Sequence, residues 1–223
     1  MQIYYDFAAY TNIAIGISLI LGIRLQENFN SPYQAGNIQE FWRRWHMTLS
    51  RWFRDYLYIP LGGSRRGSFR TVINILLTFL LVGLWHGAGW NFVFWGAIHG
   101  FLLAAYHIKV RLLPNLRLNF YLGLFITLFC VHIAWVPFRI SDITGIISVW
   151  SAMLGLGGFN QGWVSGADLL FLCLVSLFTL ILPNASKRAP GSTGWYESGL
   201  LYLLALFAVF NAPQITKFIY FQF

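Results

Sequence analysis

The chain has 223 residues, of which 57% are hydrophobic and only 10% are charged. Soluble domains carry about 25% charged residues, so this chain lacks the polar surface that contact with water requires. Aromatic residues make up 19% of the sequence, which is typical of proteins whose rings anchor at membrane interfaces. The composition excludes a soluble domain, a disordered chain and a disulfide-rich scaffold, and it predicts a polytopic membrane protein.

Six stretches are apolar and about long enough to cross a hydrocarbon core as helices. The segment Gly87-Ala88-Gly89 divides one uncharged run, residues 71–108, into two of these spans. The glycine-rich stretch 143–167 is predicted to be a short interfacial helix followed by a loop. Apolar and polar residues do not alternate with a period of two, which favours helices over strands. The predicted architecture is all-α, a single membrane domain over residues 1–223, with spans at 7–23, 71–85, 90–108, 118–138, 169–186 and 198–216.

Basic residues fall mainly on one side of this arrangement. Loops 24–70, 109–117 and 183–198 hold 13 of the 15 Lys and Arg residues, and the opposite side holds Arg139 and Lys217. Positive charge collects in the cytoplasmic loops of membrane proteins, so these three loops are predicted to face the cytosol. The net charge of +8 is thereby explained without nucleic acid as a partner.

Residues 41–58 lack Gly and Pro and are predicted to form one continuous amphipathic helix on the cytosolic side. Trp45, Leu49 and Trp52 recur at helical spacing and begin an apolar face. One interpretation is a helix that lies on an anionic lipid surface. The other is a helix that dips into the protein and presents His46 to an interior site. The pattern alone favours the lipid surface.

His86 has the most informative position of the five histidines. Its predicted helix runs about 15 residues before Gly87 and covers about 22 Å, less than the roughly 30 Å of hydrocarbon. His86 is therefore expected within the membrane at a helix break, where an ionisable residue is a functional candidate. The alternative is a packing histidine bonded to a neighbouring carbonyl. His99, His107 and His132 are assigned to packing or interfacial positions.

A histidine in a membrane cavity suits acyl transfer, a chemistry that these residues alone permit without establishing it. The histidines lack HxxxH and HxxH spacing, so no metal is expected, and neither a GxSxG motif nor a P-loop is present. A buried neutral imidazole can take the proton of a hydroxyl that attacks a thioester carbonyl. His46 is a candidate for orienting the acceptor or for stabilising the oxyanion.

Three stretches closely resemble the alginate O-acetyltransferase branch of the membrane-bound O-acyltransferase (MBOAT) family, which includes the D-alanyl transferase of teichoic acids. The longest internal match reads FWRRWHMTLSRWFRDYLYIPLGG, and another, GLWHGA, contains His86. The match is dense over about residues 4–105 and thin from 106 to 217. The C-terminal end is also similar to that branch, so that the resembling segments are residues 5–16, 25–33, 41–63, 83–88, 95–100 and 218–223.

The resemblance implies an MBOAT-like fold in which His86 is the catalytic histidine and His46 is a second active-site residue. It also implies a tunnel that an acyl thioester, acetyl-CoA or an acyl carrier, enters from the cytosol as a substrate, with no tightly bound cofactor. The acceptor would approach from outside. Donor or carrier binding is assigned to four arginines, which would otherwise anchor the segment at the lipid surface: Arg43, Arg44, Arg51 and Arg54.

The function implied is an O-acyltransferase that moves an acyl group, taken to be acetyl, to an exported polysaccharide hydroxyl or to a relay protein. Such O-acetylation belongs to alginate and other exopolysaccharide biosynthesis at the cell envelope, in the bacterial inner membrane. The partners implied are membrane lipid, an acyl carrier protein or coenzyme A inside, and an extracytoplasmic acyltransferase or polysaccharide outside.

Because family members are about twice as long, the chain is expected to be the C-terminal part of the fold, without the N-terminal half. The alternatives to an enzyme are a non-catalytic membrane fragment or partner subunit, and one half of a transporter.

Overall fold

The computed structural model describes residues 2–156 and 166–181, and the regular elements in these ranges are all helical. Eight α-helices follow one another in the described ranges, with a 3₁₀ turn before the second and a π-helical turn after the third. The helices are α1 (Gln2–Ile20), α2 (Ile38–Arg44), α3 (Met47–Phe53), α4 (Gly67–His86), α5 (Trp90–Leu112), α6 (Phe120–Arg139), α7 (Ile143–Met153) and α8 (Gly166–Ile181); the turns are Pro32–Gln34 and Arg54–Tyr58.

Four helices of the described ranges, α1, α4, α5 and α6, are long and apolar enough to cross a membrane. They confirm the first four predicted spans with shifted boundaries. The short helix predicted after residue 143 is α7, while the loop predicted to follow it lies largely outside the described residues. Helix α8 covers most of the predicted span 169–186, and the predicted span 198–216 lies outside the described residues.

The chain divides into two compact units, and the described part of the first is residues 2–30. In this unit the ring of Phe29 packs edge-on against Phe7, with centroids 5.3 Å apart, and against Tyr4 at 5.5 Å. The hydroxyl of Thr11 donates to the carbonyl of Phe7 at 3.0 Å. The buried hydroxyl of Thr11 is therefore satisfied within helix α1. The chain that follows α1 folds back and packs against the first turns of this helix.

The second unit, residues 31–181, is built on an antiparallel helix hairpin of α4 and α5. A Cβ atom at Gly83 would overlap the carbonyl oxygen of Phe92, and a Cβ atom at Gly96 would overlap that of Phe79. Lipid tails supply no hydrophobic drive for helix association, so membrane helices rely on small residues that let backbones approach. These two glycines allow the backbones of α4 and α5 to touch.

Helix α6 contains Pro137 and continues past it to Arg139. A proline has no N–H to give to the carbonyl four residues earlier, which here is that of Ile133. The indole N–H of Trp150 in α7 donates to that carbonyl at 3.0 Å. The side chain of Asn91 at the start of α5 donates to the carbonyl of Pro137 at 3.1 Å. Hydrogen bonds to the carbonyl that the proline leaves free and to its own carbonyl therefore link α6 to α7 and to α5.

The prediction of one continuous helix over residues 41–58 is wrong, because the chain breaks between α2 and α3 at His46. The amide side chain of Asn74, buried in α4, donates to the carbonyls of Leu61 and Gly63 at 3.3 and 3.0 Å. The segment before α4 thus folds back along that helix. Its buried aromatic side chains favour the dipping interpretation over the lipid-surface one: Phe41, Trp42, Trp45 and Phe53.

Candidate active site

His86 is the last residue of α4, and aromatic rings from α5 and α6 enclose its imidazole. The ring of Trp95 lies perpendicular to it, with centroids 5.1 Å apart, and that of Phe138 lies at 5.2 Å. Because α4 has 20 residues, it is about 30 Å long, and the prediction that a helix shorter than the hydrocarbon core ends at His86 is wrong. His86 is instead half-buried by packing against two neighbouring helices.

His46 joins α2 to α3 in a left-handed conformation, with φ 39° and ψ 55°, which costs an L residue about 1–2 kcal/mol. Its carbonyl accepts the N–H of Ser50 at 2.9 Å, and the Ser50 hydroxyl donates to the carbonyl of Trp45 at 3.1 Å. The side chain is only 9% exposed. Burial lowers the pKa of His46 to about 4, so its imidazole is neutral at pH 7.

The structure brings the two predicted histidines together. The imidazoles of His46 and His86 lie near enough for an electrostatic interaction between them. Each imidazole stands at a helix end, one at the start of α3 and the other at the end of α4. A pair of imidazoles in this arrangement can divide two tasks, one removing a proton and the other holding the group that loses it.

An aromatic cluster extends from His86 into the centre of the second unit. The ring of Trp95 contacts His99 at 5.0 Å and Trp135 at 6.0 Å. On its other side, the imidazole of His99 contacts the ring of Trp42 at 4.9 Å. This cluster, which links α2, α5 and α6 beside His86, consists of Trp42, Trp95, His99, Trp135 and Phe138.

Three buried ring nitrogens of the aromatic cluster have no hydrogen-bond partner among the described residues: Nε1 of Trp95, Nε2 of His99 and Nε1 of Trp135. Leaving a buried donor unsatisfied costs about 1–3 kcal/mol. Such groups are rare in folded proteins and are explained by a bound water or ion, or by a role in catalysis. Their grouping next to His86 marks this region as one where polar atoms are retained at a cost to stability.

A cavity of about 640 Å³ opens beside the cluster, and we call it the arginine cavity. Exposed Arg43, Arg54 and Ser64 and half-buried Arg51 form its outer part, whereas buried Ile75, Phe79 and Val82 of α4 form its inner part. Val82 is one helical turn, about 6 Å, before His86. The cavity is lined by Gln39, Trp42, Arg43, Met47, Leu49, Ser50, Arg51, Phe53, Arg54, Tyr58, Ser64, Ile75, Thr78, Phe79, Val82, Leu103 and His107.

Three of the four predicted arginines, Arg43, Arg51 and Arg54, line this cavity. Arg54 pairs with Asp55, its Nε donating to the carboxylate at 2.7 Å, and hydrogen bonding to Arg54 lowers the pKa of the Asp55 carboxyl. The fourth, Arg44, is not on the cavity lining. It pairs with Glu40 one turn earlier in α2. Arg44 therefore has a local structural role that its neighbour Arg43 does not share.

Sequence reasoning missed His107, which lines the arginine cavity from α5. Its buried Nε2 atom has no hydrogen-bond partner among the described residues. His107 follows His99 by eight residues, a spacing that keeps two side chains on roughly one face of a helix. That periodicity was the available signal for its place beside the site. His132, in contrast, bonds the carbonyl of Leu128 through Nδ1 at 2.7 Å, in agreement with its predicted packing role.

Comparison with known proteins identifies the family of this chain. A sequence model described as MBOAT, membrane-bound O-acyltransferase family, matches residues 1–136. A peptidoglycan O-acetyltransferase of Helicobacter pylori is 45% identical over 71% of this chain and 31% of its own length. A probable alginate O-acetylase AlgI of Pseudomonas putida is 36% identical over the whole chain and 51% of its own length. A teichoic acid D-alanyltransferase of Bacillus subtilis is 36% identical over 57% of the chain and 35% of its own length.

The chain thus spans between about a third and a half of the length of these curated relatives. The family match covers more than half of the chain and includes both histidines and the arginine cavity. The apolar helices α1, α4, α5 and α6 fall within it almost entirely. The chain is therefore a multi-pass membrane protein that belongs to the membrane-bound O-acyltransferase family.

Proposed function

We propose that the chain carries the acyl-transfer site of an O-acyltransferase of the bacterial inner membrane. Its acyl group, taken to be acetyl, would pass from a cytosolic thioester to a hydroxyl of an exported polysaccharide or to a relay protein. The observation that carries this proposal is the electrostatically interacting pair His46 and His86, whose chain neighbours Met47 and Val82 line a cavity that also holds three arginines. The relatives named above for O-acetylation and D-alanylation support the same reaction class.

The proposed reaction uses His86 as the general base. Its imidazole takes the proton of the acceptor hydroxyl while the hydroxyl oxygen forms a bond to the thioester carbonyl carbon. The tetrahedral oxyanion then collapses, the carbon–sulfur bond breaks, and the imidazolium returns the proton to the departing thiolate. The products are an ester and a free thiol. His46, neutral because it is buried, orients the acceptor or donates a hydrogen bond to the oxyanion.

The arginine cavity is proposed to bind the donor. Guanidinium groups recognise phosphates through paired, charge-assisted hydrogen bonds, and coenzyme A and carrier-bound pantetheine both carry phosphate. Arg43 and Arg51 line the cavity from the two short helices α2 and α3, and apolar Phe79 and Val82 line it from α4. A donor with a charged end and an uncharged acyl end matches this division.

We also propose an orientation of the chain in the membrane and a set of partners. Residues 24–70, 109–117 and 183–198 would face the cytosol, where an acyl carrier protein or coenzyme A brings the donor, and a polysaccharide or an extracytoplasmic acyltransferase would act outside. Ser64 is exposed beside the arginine cavity. A cysteine introduced by Ser64→Cys should resist a membrane-impermeant thiol reagent in intact cells and react once the membrane is opened. Labelling in intact cells would reverse the orientation.

The decisive experiment compares His86→Ala and His46→Ala with a matched histidine variant, His132→Ala, in the full-length protein. General-base catalysis contributes about 10²–10⁴-fold, so His86→Ala should lower acyl transfer by that factor while insertion in the membrane persists. His46→Ala should lower it less. His132→Ala should retain activity because His132 lies on α6 outside the cavity and the aromatic cluster.

Near-normal transfer per folded molecule of His86→Ala would refute the catalytic assignment and favour a packing histidine. If the wild-type full-length protein shows no transfer from any acyl thioester, a non-catalytic partner subunit or transporter half becomes the better description.

Two neighbouring arginines provide a matched pair of variants that tests whether the cavity binds the donor. Arg43→Ala removes a cationic side chain from the cavity lining, whereas Arg44→Ala removes one that pairs with Glu40. A hydrogen bond to a charged group is worth about 1.5–3 kcal/mol, so Arg43→Ala should raise the KM for the thioester about tenfold or more. Arg44→Ala should leave the KM unchanged. Equal effects of the two variants would argue against a phosphate site in this cavity.

A further inference from the structure

We infer that Trp42 is the inner wall of the arginine cavity and limits the length of the acyl group that can be transferred, with His99 as the positioning residue that fixes it. This inference rests on the proposed function, because it assigns the acyl end of the donor to that cavity. It concerns two residues, Trp42 and His99, for which the proposed chemistry has no task.

The hydrogen bond between these residues is buried. The indole N–H of Trp42 donates to Nδ1 of His99 at 3.3 Å. An indole nitrogen is only a donor, so Nδ1 of His99 is an acceptor and the ring proton of the neutral imidazole is on Nε2. His99 is 0% exposed and Trp42 is 9% exposed. In such surroundings a hydrogen bond is strengthened by the low local dielectric, which holds the indole in one orientation.

Ring contacts hold the indole from two further sides. Phe79 of α4 meets Trp42 edge-to-face with centroids 4.8 Å apart, and Trp95 of α5 lies at 6.0 Å. Three contacts from two helices leave the indole little freedom to turn aside. Trp42 is thus a rigid part of the cavity, in contrast to the exposed Arg43 and Arg54 at the outer part.

The position of Trp42 decides which part of a bound donor this ring can contact. Trp42 and Phe79 both line the arginine cavity, and Trp42 also contacts Trp95, the ring that packs on His86. Trp42 therefore adjoins both the cavity and the aromatic surroundings of His86. An acyl group whose carbonyl approaches His86 from the cavity must place its remaining carbons against this fixed ring.

The consequence is selection by length. One additional methylene in a confined apolar pocket changes transition-state binding by about 1–3 kcal/mol, or roughly 10–200-fold in kcat/KM. Acetyl needs one carbon beyond the carbonyl, whereas butyryl and hexanoyl need three and five. The wall should therefore favour acetyl over longer chains, and it should lose this preference when the indole is removed or released.

The test measures kcat/KM for acetyl, butyryl and hexanoyl thioesters of one carrier thiol with the full-length protein. Trp42→Ala should raise the butyryl-to-acetyl ratio at least tenfold, because a cavity replaces the wall. His99→Leu, which cannot accept the hydrogen bond, should shift the ratio in the same direction by a smaller factor. His99→Asn places an amide oxygen near the position of Nδ1 and should restore the wild-type ratio. A merely structural His99 would not give this rescue.

Two variants separate the wall from general loosening of the core. Trp135→Ala removes an equally buried indole of the aromatic cluster that does not line the cavity, so it should lower both rates and leave the ratio unchanged. Trp42→Phe keeps an aromatic ring without the N–H and remains informative if the alanine variant does not fold. It should raise the ratio severalfold.

An unchanged ratio in Trp42→Phe and His99→Leu, with acetyl transfer still measurable, would overturn the inference. The proposed function fails by a different result, full acetyl transfer in His86→Ala. The two failures are therefore distinguishable in one set of assays.

Discussion

Two helix breaks bring the candidate histidines into the site, and the chain makes them by different means. At the end of α4 the break follows from Gly87 and Gly89, and the surrounding helix pair is held by backbone approach at glycines. Between α2 and α3 the break occurs without Gly or Pro, at a histidine with positive φ. The first break is encoded locally, whereas the second is imposed by packing.

Packing supplies what the second break lacks in local preference. Trp45, next to His46, stacks on Phe41 at 5.5 Å and contacts Trp135 of α6 at 4.8 Å. Burying a large aromatic side chain contributes about 1.5–3 kcal/mol, which offsets the roughly 1–2 kcal/mol cost of the left-handed residue. The comparison teaches that an imidazole can be placed at a helix end either by the local sequence or by packing against residues distant in the chain.

The largest effect is expected from a β-branched residue at the hairpin contact of α4 and α5. Gly83→Val introduces a Cβ that overlaps the carbonyl oxygen of Phe92, so the two helices must separate. Overpacking of a core costs about 1–3 kcal/mol or more, and we expect loss of folded protein together with loss of activity. The yield of monomer in detergent solution and the temperature of thermal unfolding measure this effect. Gly16→Val, at a position with open space around it, is the control and should fold normally.

A subtler change at the first break is Gly87→Ala. Its new Cβ would lie 2.6 Å from Cε2 of Phe92, so either that ring or the end of α4 must shift. Misplacement of a catalytic group by about 1 Å costs roughly 10²-fold in rate. We expect a loss of that order in kcat with a nearly unchanged KM for the thioester. Full activity in a folded Gly87→Ala protein would show that the end of α4 tolerates displacement.

Acidification tests the burial of His46 at the second break. Its pKa is about 4 in the folded protein against about 6.5 when unfolded, so the folded state binds fewer protons between these values. Stability is then fully present above pH 6.5 and is lost as the pH falls toward 4, by about 1 kcal/mol at pH 5.5. His46→Gln lacks this titration. The difference in thermal stability between wild type and His46→Gln should therefore shift against the wild type on acidification from pH 7 to 5.5, and a constant difference would contradict burial.

The smallest effect separates backbone strain from side-chain chemistry at His46. Glycine adopts positive φ without the Cβ penalty, so His46→Gly should be more stable than His46→Ala by about 1 kcal/mol. Both variants lack the imidazole and should be equally impaired in acyl transfer. Chemical denaturation of the two purified variants, compared with their turnover, measures the two quantities independently. Equal stability would mean that packing, rather than backbone conformation, sets the cost at this position.

The membrane helices could be predicted from the sequence because long apolar runs have few alternatives in lipid. The glycines after His86 likewise indicated the first break. The second break could not be predicted, since nothing in residues 41–58 disfavours a helix and the reason lies in distant Trp135. Contacts made only in the folded chain also explain two other differences from the prediction. Arg44 was grouped with three similar arginines although it pairs with Glu40, and His107 was assigned to a packing or interfacial position although it lines the cavity.

The family resemblance indicated which histidines to compare, but only the folded chain brings them near each other and places Trp42, a member of the aromatic cluster, on the cavity lining. A tryptophan in a basic, aromatic-rich segment resembles a lipid anchor. Its hydrogen bond to a histidine 57 residues further along the chain has no sequence signature.

The glycine contacts between α4 and α5 also fix a register. Gly83 opposite Phe92 and Gly96 opposite Phe79 are two contacts of the same antiparallel alignment, one about one turn from the break and the other about two turns from it. Sliding one helix by a single residue would move its side chains by about 1.5 Å and rotate them by about 100°, and both contacts would be lost together. The distance between His86 and Trp95 is therefore set by backbone alignment, so the geometry around the imidazole should survive changes in the size of the lipid-facing side chains.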